Sequence, residues 1–389
     1  MSDIDITAPS LAELSTHHSE KWRAFAPDVI PLPVAEMDFP VAAPIREFLH
    51  SMVEHSDMGY LGAIPELGSA FASFADRRWN WTVDPTHVRV ATDVGVGVVE
   101  ILRVFTNPGD GVLISSPVYQ NFYTWINETK VRGIDVPFIH QQSDDVSLAW
   151  GIDWQGIEEA YSSGIKIHLL CSPHNPIGRV YTREELRKFV ALAVKYNVLI
   201  ISDEIHSPLT YSEQKFTPFL TLGEKAREVG ITVTAASKGW NIAGLKCAII
   251  VTENAQMHQR LDAIAPATHY RASLLGAFAT VAAFQEGEPW LNELMTQLDI
   301  NRKLVFDLVA EKLPKAKTHL PHCSYLAWID FSAYGIGDDP AGYLLENAKV
   351  AFVPGFRFGE KFAGYIRLNF ATSPEIITEA INRVAKALH

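Results

Sequence analysis

The sequence predicts an α/β protein built on a largely parallel sheet, with a second and smaller α+β lobe. Three observations carry this reading. At 389 residues the chain exceeds the roughly 250–300 at which one hydrophobic core stops growing. Its middle alternates short apolar runs with helical segments, as strand–helix–strand units do. Several of those runs are apolar along their whole length, as strands covered on both faces should be.

Taken in order, residues 1 to about 45 are rich in proline and acidic residues, with a short apolar stretch at 29–34. Seven candidate strands follow, at residues 88–92, 111–115, 134–139, 165–171, 198–202, 231–234 and 247–251. Thr182-Arg183-Glu184-Glu185 is a capping box that opens a helix running to about residue 196. After a helical region ending near Glu286, a long charged helix at about 289–313 leads to shorter strands at 324–330 and 365–370. We therefore expect a large domain at residues 45–286, holding a mostly parallel seven-stranded sheet between helices. A smaller α+β domain would combine residues 1–44 with 287–389.

Composition narrows the function classes. Hydrophobic content of 48% and charged content of 20% describe a folded globular chain, not a disordered one. Subtracting 45 acidic from 33 basic residues gives a net charge of −12, which repels nucleic-acid phosphates, so no nucleic-acid partner is expected. Any anionic ligand must be held by local donors. Cys171, Cys247 and Cys323 are far apart and form no Cys-x-x-Cys pair, which fits reduced thiols. The N-terminus lacks a signal-peptide pattern, and no apolar run approaches the roughly 18 residues of a spanning helix. A cytoplasmic protein with no membrane partner is the expectation. His319-Leu320-Pro321-His322-Cys323 hints at a metal, but the proline breaks helical spacing and no partner cluster exists. No metal is expected.

The chemistry-bearing residues stand at predicted strand ends, where α/β folds bind ligands. Lys238 follows the strand at 231–234 and a small-residue turn; Asp203 follows the apolar run 198–201. A buried carboxylate there needs a partner. A Schiff-base lysine with an acidic partner for a pyridinium nitrogen is the pairing that pyridoxal 5′-phosphate (PLP) requires. Asn175, in the turn after the strand at 165–171, is placed to donate to the cofactor's phenolate oxygen. Gly95-Val96-Gly97-Val98-Val99-Glu100 is a poor dinucleotide fingerprint, because Glu100 replaces the third glycine. A helix starting at Val94 and Gly95 nevertheless offers free N–H groups to a phosphate. Tyr119 follows another strand end; it is either a packed core tyrosine or an aromatic that stacks on a planar cofactor. Arg367 alternates with apolar residues; it is either a strand's solvent face or a bidentate clamp for a substrate carboxylate.

Together these segments resemble the fold-type I PLP-dependent transferases, and within them the MalY/PatB family of cystathionine β-lyases. The residues that carry the likeness are Val34-Ala35-Glu36-Met37-Asp38-Phe39, Gly59-Tyr60, Ser172-Pro173-His174-Asn175-Pro176, Asp203-Glu204-Ile205-His206-Ser207, Ser237-Lys238 with Asn241-Ile242-Ala243-Gly244-Leu245, and Arg367-Leu368-Asn369. The resemblance implies that Lys238 binds PLP covalently, Asp203 pairs with its ring nitrogen and Asn175 reaches its phenolate oxygen. It also implies that Tyr119 stacks on the ring and acts in catalysis, and that His206 belongs to the cofactor pocket. Val94, Gly95, Ser237 and Lys246 would hold the phosphate, and Tyr60 would reach it from a neighbouring subunit. Lys246 stands where many fold-type I enzymes carry arginine. Arg367, Asn175 and the Ala35 backbone would hold the substrate carboxylate. Pro33, Glu36, Ile177, Tyr181 and Pro208 depart from the family's usual residues. The implied protein is a homodimer with shared active sites acting on a sulfur amino acid by α,β-elimination. An aminotransferase of the same fold, or a PLP-bound regulatory protein, stands as the alternative.

Overall fold

Seven strands form one sheet: β1 (Val88–Ala91), β2 (Gly111–Ile114), β3 (Arg132–Asp135), β4 (Ile167–Cys171), β5 (Leu199–Asp203), β6 (Gly230–Thr234) and β7 (Ala248–Val251). The computed structural model that shows them describes residues 4–141 and 143–388. The spatial order is β1-β7-β6-β5-β4-β2-β3. Only β7 runs against its neighbours β1 and β6; the remaining pairs are parallel. Central strands β4 and β6 are buried along their whole length, as a sheet covered on both faces requires.

Two strand boundaries differ from expectation, each for a local reason. The run at 134–139 does not continue as one strand. Pro137 lacks an N–H for a ladder, and Ile139–His140 instead pairs antiparallel with Trp150–Gly151. The strand expected from Ser324 begins at Leu326, because Ser324 holds a left-handed φ of 71°. The capping box at Thr182 forms as read: its Oγ1 accepts from Glu185 N at 3.2 Å, and Glu185 Oε2 accepts from Thr182 N at 2.9 Å. The helix it opens spans Arg183–Tyr196.

A second sheet sets β8 (Leu326–Asp330), β9 (Val353–Pro354) and β10 (Tyr365–Asn369) antiparallel in the order β8-β10-β9. The helix Pro340–Ala348 packs on β9 and β10, and the long helix Glu288–Lys312 packs on the C-terminal helix Pro374–Leu388. The N-terminal segment is stitched to this part of the chain, since Ile30–Pro31 pairs parallel with Val350–Ala351. The three cysteines are unpaired and buried. Among the described residues no helix is long and apolar enough to cross a membrane. Nor does any group of three or more potential metal ligands gather among them. His319 is used structurally, with Nε2 2.7 Å from the Ile177 carbonyl.

Candidate active site

Parallel strands end together, so residues that follow them converge whatever their distance in sequence. Asp203 closes β5; Asn175 follows β4, Lys238 follows β6 and Tyr119 follows β2. All four line one cavity of about 840 Å³, together with Val94, Gly95, His206, Ser237, Lys246 and Arg367. The Ala35 backbone segment forms part of the same wall. Tyr60 does not line it, and stands 95% exposed.

The wall around Arg367 is assembled from distant parts of the chain. Arg367 lies on β10, the middle strand of the small sheet, and is buried, which removes its solvent-face reading. Its guanidinium donates to Asn175 Oδ1 at 3.1 Å and to the Pro33 carbonyl at 3.0 Å, over the ring of Phe358. Asn369, two residues on, donates to the carbonyls of Val34 and Glu36. Asn241 grips the same loop from the other side: its amide makes two bonds of 2.8 Å with the backbone N–H and C=O of Met37. Asn241 does this from a left-handed φ of 57°, a conformation its short polar side chain tolerates. The loop also carries Asp38, whose carboxylate takes both bonds of the buried Lys21 ammonium at 2.7 Å. Held this way, the Ala35 carbonyl accepts from Lys238 Nζ at 2.6 Å and from the Tyr325 hydroxyl at 2.9 Å. Tyr325 and the loop's clamps were not found by sequence reasoning. Asn369 lay inside a quoted motif, but Tyr325 had no local signal.

Burial sets the electrostatics. It pushes the Asp203 carboxyl up to about 7, against the lowering effects of the Ile205 N–H and the Lys238 charge. It pushes the Lys238 ammonium down to about 8, with Arg367 adding to the shift and Glu36 and Asp203 opposing it. Arg367 itself is lowered to about 10 by burial. His206 falls to about 3 for the same reason, reinforced by the charges of Lys238 and Arg367, so it is neutral. Burial likewise raises the Tyr119 hydroxyl. Behind Asp203, the buried Glu204 carboxyl rises to about 8 while accepting from Ser202 and from Phe219 N, each at 2.9 Å.

At the opposite wall the helix Val94–Phe105 begins. Its cap Asp93 accepts from Val96 N at 2.8 Å, and the N–H groups of Val94 and Gly95 are of the kind a helix leaves unpaired. Gly95 is required there, since a Cβ would sit 2.9 Å from Trp125 Nε1. Lys246, held at a left-handed φ of 56°, places Nζ 3.3 Å from Asp93 Oδ2. Tyr119 meets Trp125 edge-on with ring centroids 6.2 Å apart, and its hydroxyl accepts from Asn121 at 2.9 Å.

These residues fit PLP. Asp203 is a buried acid with one weak backbone donor at 3.2 Å, and a ring N–H⁺ supplies the cation it lacks. The phosphate end offers a helix N-terminus, a hydroxyl at Ser237 and an ammonium at Lys246. Three buried polar atoms of cavity-lining residues have no hydrogen-bond partner among the described residues: Arg367 Nε, His206 Nδ1 and Gln120 Oε1. Such orphans mark a site built for a polar ligand.

Residues 27–384 match the family described as aminotransferase class I and II. The chain is 35% identical to the cystathionine β-lyase of Corynebacterium glutamicum, covering 98% of this chain and 99% of that one. It is 32% identical to the cystathionine β-lyase PatB of Bacillus subtilis over 93% of each. Among solved structures, cystalysin from Treponema denticola, which contains a pyridoxal 5′-phosphate cofactor, superposes with a TM-score of 0.92 at 30% identity, covering 99% and 98% of the two chains.

Proposed function

The chain belongs to the aminotransferase class I and II family, and we propose that within it the chain is a PLP-dependent carbon–sulfur β-lyase. It cleaves cystathionine or related cysteine S-conjugates by α,β-elimination to a thiol, pyruvate and ammonia. The observation that carries this reading is the convergence of Lys238, Asp203, Asn175 and Arg367 on one cavity. Relatives named cystathionine β-lyase support the choice of reaction over amino transfer.

When bound, the cofactor supplies an electron sink for the pair left at the substrate's Cα. The chain's residues do the rest. Arg367 turns its guanidinium towards the substrate carboxylate, with Asn175 fixing its plane. Asp203 keeps a proton on the ring nitrogen. Lys238 Nζ, which burial shifts to about 8, exchanges a proton with Cα near neutral pH at little cost. The Ala35 carbonyl, 2.6 Å from Nζ, aims that amine. Tyr119 would flank the ring, and His206, neutral, would add no charge to it. Val94, Gly95, Ser237 and Lys246 would hold the phosphate.

The rest of the proposal concerns assembly. Tyr60, exposed in its own subunit, serves the partner's phosphate site in a homodimer. Residues 45–286 form the large domain, with 1–44 and 287–389 forming the small one. The location is cytoplasmic.

The test is pyruvate release from cystathionine by the purified PLP-loaded protein with no added oxo-acid. Stoichiometric pyruvate and homocysteine are expected. Product formation only when an oxo-acid is supplied would make it an aminotransferase; no turnover in either mixture would leave a PLP-binding regulator.

A further inference from the structure

The same cavity carries several charges that the proposed chemistry does not use. Glu20 and Arg357 are two of them; both line it, and both are exposed, so they stand at its mouth. They come from distant parts of the chain. Glu20 opens the short helix Glu20–Arg23, whose Lys21 is locked to Asp38 and whose preceding Ser19 donates to Glu36. That ties Glu20 to the loop whose Ala35 carbonyl meets Lys238. Arg357 lies in the 3₁₀ turn Gly355–Phe358. The Phe358 carbonyl accepts from Val118 N at 3.0 Å and from the Tyr123 hydroxyl at 3.1 Å, and the Phe358 ring lies under Arg367. Arg357 is therefore fixed to the wall that bears Tyr119 and Arg367.

Of the cavity's other unused charges, Arg271 has no ion-pair partner among the described residues, and the rest are paired. Arg103 bonds Glu100 and Glu128, and Lys246 meets Asp93. Glu20 and Arg357 have neither each other nor any other ion-pair partner within 4.0 Å among the described residues. Apolar side chains, among them Phe25, Phe352 and Pro354, line the same cavity.

We propose that Glu20 and Arg357 bind the far end of the substrate, selecting thioethers whose leaving group carries its own ammonium and carboxylate. This rests on the β-lyase reading. The inner amino acid reacts at Lys238, the thioether and its methylenes lie against apolar side chains of the lining, and the outer ammonium and carboxylate meet Glu20 and Arg357. An uncharged S-alkyl cysteine uses only the inner half. Cystathionine uses both.

The test compares kcat/KM for four thioethers with the PLP-loaded enzyme and its Glu20→Gln and Arg357→Gln variants. The substrates are cystathionine, S-(2-aminoethyl)cysteine, S-(2-carboxyethyl)cysteine and S-ethylcysteine. Glu20→Gln should lower kcat/KM for the aminoethyl compound relative to S-ethylcysteine, and spare the carboxyethyl compound. Arg357→Gln should do the reverse. Both should lower cystathionine, each by about two- to fivefold, the scale of a solvent-exposed ion pair, and chiefly through KM. Glu20→Asp and Arg357→Lys should recover part of each loss. If the wild type cleaves the series and neither variant changes the ranking, the outer clamp is wrong while the lyase reading stands. A wild type that releases pyruvate from none of the four overturns both.

Discussion

Asp203→Asn removes one charge while keeping shape, and the structure says what should follow with and without cofactor. Without it, burial holds the carboxyl proton up to about 7, against 3.8 in an ordinary setting. The folded chain then binds more protons at this site than the unfolded chain between those values. The stability it contributes is fully present below pH 3.8 and is lost as pH rises through about 7. The gap of about 3 pKa units corresponds to roughly 4 kcal/mol across the window. Glu204, raised to about 8 by burial, has the same sign, but it is present in both proteins and largely cancels in their difference. The assay is thermal unfolding of apo wild type and apo Asp203→Asn from pH 4 to 8.5. The variant should gain on the wild type as pH rises to about 7 and hold that gain above it, and PLP should abolish that trend in the wild type by supplying the missing cation. Turnover should move the other way: losing one partner of a buried charge pair costs about 3–5 kcal/mol, or about two to nearly four powers of ten in rate. A pH-independent difference between the apoproteins, or near-normal turnover with PLP bound, would refute the reasoning.

Lys238→Ala should lose the bound cofactor's visible absorption and essentially all elimination; borohydride fixing PLP to another lysine in the wild type would refute the assignment. Gly95→Ala puts a Cβ 2.9 Å from Trp125 Nε1, an overpacking worth about 1–3 kcal/mol, and should speed PLP loss on dialysis while leaving the far-UV spectrum unchanged. Lys21→Met strands the buried Asp38 carboxylate and should destabilise by roughly 3–5 kcal/mol in denaturant unfolding, with Lys21→Met/Asp38→Leu recovering much of it. Mixing Lys238→Ala with Tyr60→Ala chains should restore activity towards half per mixed dimer, since one hybrid site carries both lesions and the other neither; no recovery despite proven subunit exchange would place Tyr60 in its own subunit's site.

The legible part of the site was the part built on strand ends. Asp203, Asn175, Tyr119 and Lys238 each follow an apolar run, and a parallel sheet brings such ends together without further information. The seven strands of the large sheet were legible for the same reason, except where Pro137 cuts an apolar run, and in the small sheet Ser324 does the same at the start of β8. Arg367 was ambiguous because alternation along a strand gives the same pattern for a solvent face and a cavity face. Only the neighbouring loop decides it, and that loop lies more than three hundred residues away: Pro33 accepts from Arg367 across 334 positions.

The loop around Ala35 shows why such contacts escape sequence reading although the site depends on them. Its role is played by backbone carbonyls, which every residue has, so no side chain announces it. What can be read is the set of amides and hydroxyls that hold it: Asn241, Asn369 and Tyr325, each spending its polar group on this one segment. Buried polar side chains are costly unless bonded, so three of them converging on one loop imply that its position matters more than the apolar packing they displace. The consequence falls on Lys238. An amine shifted to about 8 can give or take a proton readily, and direction then decides where that proton goes. The Ala35 carbonyl supplies the direction, and the Lys21–Asp38 pair, sealed from water on the same loop, keeps it from drifting. The N-terminal segment is thus a working part of the active site, joining Glu20 at the mouth to the amine at the centre.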